Sequence, residues 1–227
     1  MEISVTLSAN AGVAIDLEGK RIWVDALHRK KTPGFSTLTP ELIRRMMNCA
    51  AFQDPQWICY THCHPDHYSA AFHRSAVALW PNAYTLIPQE CWKDVYRVID
   101  GNLMLRFVRL PHEGEQYAQV LHYGLNIWYK GNNLLIPGDC ALCAEELVEK
   151  TEGIPIKLLL LDFPWVTKPK ALRFLKEHFE GVPKIIYHLP FAEDDVAGYR
   201  IAAQRAADLD PTIHLLMEPF QTITIGI

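Results

Sequence analysis

The chain has 227 residues, 49% of them hydrophobic, enough for a single domain over residues 1–227 with a sizeable core. A formal net charge of −4 and a sequence pI near 6.2 argue against a nucleic-acid surface as the main partner. No apolar run approaches the ~20 residues of a membrane span, no export signal is recognised, and six scattered cysteines suit a reducing compartment, so the expected location is cytoplasmic.

Residues 3–9 and 11–26 alternate in polarity around the turn Glu18-Gly19-Lys20 and predict two or three antiparallel strands, the last ending at Asp25. Residues 27–38 form a basic loop containing Phe35, readable as a lid over a site or as a packed connector. Within it Arg29-Lys30-Lys31, together with Arg44-Arg45, is the one basic patch, and a solvated face explains it. Thr39 and Pro40 mark a helix start, with the helix expected to run through Ala50. Trp57-Ile58-Cys59-Tyr60 is a buried strand, residues 68–79 a helix ending at Trp80-Pro81, Ala83–Ile87 a strand, and Pro88–Val98 a short helix with loop. Strands follow at Leu103–Leu110, 117–122, 125–129 and 133–137, with Lys130-Gly131-Asn132-Asn133 as a hairpin turn. The second half reads as a strand at Ile156–Leu161 ending at Asp162, a helix at Lys168–Phe179 and a strand at Lys184–Tyr187. A helix at Glu193–Ala207 and strands at Ile213–Glu218 and Thr222–Ile227 complete it. Such an order fits two β-sheets between helices.

One stretch carries the chemistry. Thr61-His62-Cys63-His64-Pro65-Asp66-His67 follows the Trp57–Tyr60 strand, where a loop takes over. In extended chain His62 and His64 share a side, while Asp66 and His67 follow a proline-forced bend and can face a neighbouring position. Imidazole and carboxylate donors suit zinc, manganese or iron.

His62 to His67 also resembles the H-x-H-x-D-H signature of metallo-β-lactamase-fold hydrolases. Further landmarks of that family are matched by His112-Glu113-Gly114, by Leu134-Leu135-Ile136-Pro137-Gly138-Asp139, and by Ile185-Ile186-Tyr187-His188. The resemblance implies an α/β fold, an αββα four-layer sandwich of two mixed β-sheets flanked by helices. It also implies two divalent metal ions, zinc first, with manganese or iron as alternatives. By that pattern His62, His64 and His112 hold one ion, Asp66, His67 and His188 the second, and Asp139 bridges them. Asp25 would sit behind the ligands and accept an N–H from one of them, although a turn-forming aspartate is an equal reading. His122 competes with His112 for the third position. His112 is preferred because it precedes a glycine-bearing loop, whereas His122 lies in a strand pattern.

Such a site activates a shared water for hydrolysis of an ester, thioester, lactone, amide or phosphoester bond. Asp66, His64 and Asp139 are the candidate catalytic residues, with Asp66 orienting the nucleophile. The expected partner is a small-molecule substrate, with no nucleic acid and no membrane; the oligomeric state, homodimer included, stays open. Phe35, Tyr68, Phe163, Trp165 and Phe191 are candidate pocket walls, each with ordinary core packing as the competing reading. Cys63 occupies a variable position of the signature, and Cys140-Ala141-Leu142-Cys143 reads as small buried residues at a turn. His28, His73, His178 and His214 read as surface or core histidines. Three other readings stand beside hydrolysis of a small organic molecule: a phosphodiesterase or nuclease of the same fold, a di-iron redox protein, and a non-catalytic metal binder.

Overall fold

The structure, a computed structural model, describes residues 1–29, 34–90 and 93–227, without the side chains of Val95 and Tyr96. Lys30 and Lys31 of the basic loop, and residues 91–92 of the Pro88–Val98 segment, lie outside the described residues. The chain opens with strands β1 (Glu2–Ala9), β2 (Gly12–Leu17) and β3 (Lys20–Val24). Helix α1 (Pro40–Met46), strand β4 (Trp57–Cys59), helix α2 (Ala70–Leu79) and strand β5 (Tyr84–Leu86) follow. Strands β6 (Val95–Asp100), β7 (Leu103–Arg109), β8 (Tyr123–Tyr129) and β9 (Asn132–Ile136) form an antiparallel meander. The remainder alternates through α3 (Glu145–Thr151), β10 (Ile156–Asp162), α4 (Pro164–Thr167), α5 (Pro169–His178) and β11 (Lys184–Tyr187). It closes with α6 (Tyr199–Leu209), β12 (Ile213–Leu215) and β13 (Thr222–Gly226).

These strands make a six-stranded sheet, ordered β13-β1-β2-β3-β4-β5, and a seven-stranded sheet, ordered β12-β11-β10-β9-β8-β7-β6. The period of two along β10 shows how they pack. Leu158 and Leu160 join the core that holds Ile3, Val5 and Ile22 of the first sheet, while Leu159 and Leu161 turn to Leu147, Leu175 and Ala203 on α3, α5 and α6. On the outer side of the first sheet Trp23 meets Phe52 and Trp80 edge-on at 5.7 and 5.0 Å. The layers are therefore helix, sheet, sheet, helix, the sandwich expected from the sequence.

The strand directions place the site. β3 and β4 run parallel, as do β9, β10 and β11, so each group delivers its C-terminal ends to one edge. The sheets are laced together at that edge. Tyr123 N–H donates to the Thr61 carbonyl at 2.8 Å, and His188 N–H to the Asn10 carbonyl at 3.1 Å. Gly138, at φ +63°, allows a close approach: a Cβ there would lie 2.8 Å from His122 Nε2 and 3.0 Å from Thr61 Cβ.

Several boundaries differ from the sequence reading, each for a local reason. Thr39 Oγ caps α1 by accepting from Leu42 N at 3.1 Å, but the helix stops at Met46, and a separate 3₁₀ turn, Ala50–Phe52, buries Phe52. In the segment Pro88–Val98 the helix is only a 3₁₀ turn at Pro88–Glu90, because Val95 onward pairs with β7. Residues 117–122 are not a strand: Tyr117 N and Val120 N bond locally to Gly114 and Tyr117 carbonyls. The last helix begins at Tyr199 and not Glu193, since Asp195 accepts from Tyr199 N and Arg200 N at 2.9 Å each and Gly198 takes a left-handed conformation.

Candidate metal centre

Beyond β4 the chain is fixed by one buried carboxylate. Asp25, just past β3, accepts from Thr61 N at 2.8 Å and from Thr61 Oγ1 at 2.6 Å. It also accepts from His67 Nδ1 at 2.9 Å. The loop then doubles back, with His67 N and Tyr68 N both donating to the His64 carbonyl, at 3.0 and 2.9 Å. Pro65 permits this reversal, and it swings His67 under the side chains that precede it.

The imidazoles of His62, His64 and His112 converge. His62 Nε2 lies 3.0 Å from His64 Nδ1, and His112 Nε2 lies 3.3 Å from the first and 3.1 Å from the second. Their outer nitrogens identify the protons. Thr61 Oγ1, already donating to Asp25, must accept from His62 Nδ1 at 3.0 Å, and the Glu113 carbonyl accepts from His112 Nδ1 at 2.8 Å. Both Nε2 atoms therefore present lone pairs to one another, which is repulsive unless a cation lies between. Tetrahedral zinc, with Zn–N of about 2.0–2.1 Å, separates its nitrogens by about 3.3 Å. The three observed separations fit such an ion.

A second set adjoins the first. Ligand atoms of Asp66, His67 and His188 lie within 4.8 Å of one another, as do those of His62, His67 and Asp139. His67 Nε2 is 3.2 Å from His188 Nε2 and 3.2 Å from Asp139 Oδ2. Asp139 Oδ2 is 3.9 Å from the Nε2 atoms of both His62 and His112, and its Oδ1, 3.9 Å from His188 Nε2, is buried without a hydrogen-bond partner. A buried carboxylate oxygen is rarely left unpaired, and an ion on this side would complete it. All seven predicted residues are brought to one place, with Asp139 between the sets.

Charge is arranged accordingly. Burial, then the neighbouring His67, holds His62 well below the usual imidazole range, and burial also lowers His64 and His188. His67 goes the other way: burial opposes its charge, but Asp139 and Asp25 outweigh it and raise it well above 6.5. Burial would raise Asp139, yet His67 and His188 keep it well below the usual carboxylate range. The centre thus sets the anionic Asp139 beside His62, His64 and His188 held uncharged, the states that metal ligation needs, while His67 favours its charged form against Asp139 and Asp25.

The loop carrying His112 is tied to that carrying Asp139. His112 pairs with Cys140 as an isolated bridge, Glu113 N donates to the Asp139 carbonyl at 2.9 Å, and the Glu113 carboxylate accepts from Leu142 N at 2.7 Å. His122 lies behind: its ring centroid is 5.3 Å from that of His62, its Nδ1 donates to the Leu110 carbonyl, and it belongs to none of the ligand groups. His28 is buried, donating to the Ala9 carbonyl at 3.0 Å. Cys63 Sγ donates to Gln89 Oε1 at 2.5 Å, and burial pushes its thiol up to about 11.

The candidate walls separate. Phe35 stands edge-on to His188 at 4.9 Å and touches Phe163 at 6.1 Å. Trp165 follows the core-packing reading: it is fully buried and packs on Phe174 at 5.7 Å, in the cluster between sheet and helices. Tyr68 packs on Tyr60 at 4.8 Å and Phe191 is buried in the inter-sheet core. Two residues escaped the sequence reading. Tyr117 lies 4.8 Å from the His64 ring and 4.9 Å from the His112 ring, and no motif marks it. Asp162, at the end of β10, is buried with Oδ1 unpaired, and burial together with Asp139 raises it well above the usual carboxylate range. Its place after a run of leucines was the available signal. A cleft of about 420 Å³ opens beside His112, lined by Arg109, Leu110, Pro111, Glu115 and Ala118. A separate cleft of about 400 Å³, around Leu175, Lys184 and Ile213, lies at the start of β11, away from His188 at its end.

No family model matches the sequence, and no curated protein matches it. Solved structures do match. An isothiocyanate hydrolase from Delia radicum gut bacteria superposes with a TM-score of 0.64 at 15% identity, covering 98% of each chain. YhfI from Bacillus subtilis, a metallo-β-lactamase fold protein, gives a TM-score of 0.63 at 12% identity over 98% of this chain and 99% of that one. CmlA from Streptomyces venezuelae, a diiron β-hydroxylase, gives 0.59 at 11% identity over 99% of this chain and 54% of its own. This chain has the metallo-β-lactamase fold.

Proposed function

We propose that the chain is a dinuclear metal-dependent hydrolase of a small organic substrate, with zinc as its metal and the cytoplasm as its place of action. In this reading His62, His64 and His112 hold one ion, Asp66, His67 and His188 the other, and Asp139 stands between them. The observation that carries it is the meeting of the His62 and His112 Nε2 lone pairs, 3.3 Å apart, with the Asp139 carboxylate 3.9 Å from each. When bound, two such ions supply Lewis acidity and lower the pKa of a shared water, so that hydrolysis proceeds near neutral pH without a separate strong base.

The chain's own residues do the rest. Asp25 holds the proton on His67 Nδ1 and keeps its Nε2 facing inward. Asp66, only half-buried, is positioned to hold and orient the attacking water. Phe35 beside one ligand set and Tyr117 beside the other offer apolar flanks to a substrate whose scissile bond is ester, thioester, lactone, amide or phosphoester. The likeness to an isothiocyanate hydrolase, coextensive with this chain, supports a small electrophilic carbon over a nucleic-acid backbone.

The test is the zinc-loaded protein assayed on chromogenic alkyl and aryl esters, lactones, β-lactams, phosphodiesters and isothiocyanates. Turnover that chelation abolishes and zinc restores, with aryl esters ahead of alkyl esters, is the expected result. Failure on every class with two zinc ions bound would refute hydrolysis. The likeness to a diiron hydroxylase favours one other reading, a di-iron oxidation centre. Selective retention of iron with oxygen consumption would establish that instead.

A further inference from the structure

We propose that Asn10, at the tip of the β1–β2 turn, is a positioning residue that sets the geometry of Asp66, His67 and His188 and thereby the affinity of the second metal position. The inference rests on the dinuclear reading above. Asn10 is fully buried and belongs to the opposite sheet from His188. Its carbonyl accepts from His188 N at 3.1 Å, and its Nδ2 donates to the Asp66 carbonyl at 3.3 Å. One residue thus binds the backbones of two separate loops, each of which supplies a donor to the same set.

Both ends of the first contact are in the left-handed region, Asn10 at φ +50° and His188 at φ +61°. Asparagine and histidine enter that conformation more often than most residues, yet it stays uncommon for any residue with a side chain. His188 reaches Asp139 and His67 from that conformation, and the Asn10 carbonyl is the backbone partner that holds its N–H. The turn is itself a stiff support. The His28 ring donates to the Ala9 carbonyl at 3.0 Å, Ser8 Oγ donates to the Gly12 carbonyl at 3.0 Å, and a Cβ at Gly12 would fall 2.8 Å from the Ala26 Cα. A clamp on such a base transmits position and not slack. Its two hydrogen bonds go to the Asp66 carbonyl and to the His188 N–H, both residues of the second ligand set, so its effect falls first on that set.

The experiment is zinc titration of the purified protein against a chromophoric chelator, with His112→Ala and His188→Ala assigning the two binding steps. Asn10→Gly keeps the left-handed backbone and deletes the amide. Asn10→Asp keeps shape and backbone but sets an oxygen against the Asp66 carbonyl, and its added charge would otherwise favour a cation. Outer partners of metal ligands are worth about 10–100-fold in affinity. Both variants are expected to weaken the step assigned to His188 by that factor and to leave the other within about threefold, well below that range. Wild-type affinity in Asn10→Gly, or equal weakening of both steps as from a general loosening, would overturn the inference while leaving the dinuclear site intact. A wild-type protein that binds fewer than two zinc ions would overturn both.

Discussion

Asp25 is the residue whose removal is most informative, because one carboxylate answers three buried donors. Asp25→Asn keeps the volume and a side chain that tolerates φ +51°, so neither a cavity nor backbone strain complicates the result. Its amide cannot reproduce the pattern. If its oxygen accepts from Thr61 N, the NH₂ faces Thr61 Oγ1 and His67 Nδ1; if it turns over, the NH₂ faces Thr61 N. At least one buried donor is left without an acceptor, at about 1–3 kcal/mol, and the survivors lose a charged partner, so the total is about 2–4 kcal/mol. For a chain of this length each kcal/mol moves the midpoint by about 2–4 °C, giving a fall of roughly 4–16 °C in metal-free thermal unfolding. His67 also loses the partner that fixes its proton, so zinc affinity falls by about 10–100-fold. Calorimetry and chelator competition on the same samples measure both. A variant within about 0.5 kcal/mol of wild type, an ordinary surface effect, with unchanged zinc affinity would refute the account of how the ligand loop is held.

The metal-free protein is expected to be acid-labile through its buried neutral histidines. Burial pushes His28 down to about 4 and His122 down to about 3, from 6.5. Below pH 6.5 the unfolded imidazoles take up protons that the folded ones refuse, so stability is full above that value and falls steadily as the pH drops toward 4. For His28 the loss reaches about 3 kcal/mol at pH 4, and His28→Gln should flatten the slope of unfolding midpoint against pH; an unchanged slope contradicts it. Trp165→Ala should cost about 3–5 kcal/mol through the cavity it leaves against Phe174. Zinc stoichiometry should be unchanged in that variant; lost zinc with an unaltered midpoint would return Trp165 to the site.

The legible part of this molecule was the part whose signal is local. Lys184–Tyr187 is read from sequence with the bounds the structure gives, because a buried central strand is a short apolar run with a sharp end at His188. His62 to His67 is dense enough in imidazole and carboxylate to declare its chemistry without a fold. The start of α6 was misread because Glu193, Asp194 and Asp195 resemble a first helical turn, whereas Asp195 is spent on capping from outside. Residues 117–122 alternate like a strand, yet no neighbouring strand pairs with them, and local turn bonds take their place. Asn10, Tyr117 and Asp162 were illegible for a deeper reason. Each acquires its role from a residue more than 20 positions away, Asn10 from Asp66, Tyr117 from His64 and Asp162 from Asp139, and only the folded chain brings these together.

The central claim is a two-ion centre with Asp139 between the ligand sets, and elemental analysis of the zinc-reconstituted protein beside Asp139→Ala tests it directly. Two zinc ions per chain in the wild type, and fewer in the variant, are what a shared bridging ligand requires. A wild-type chain that takes up no metal, or a variant that retains the full complement at wild-type affinity, would contradict it.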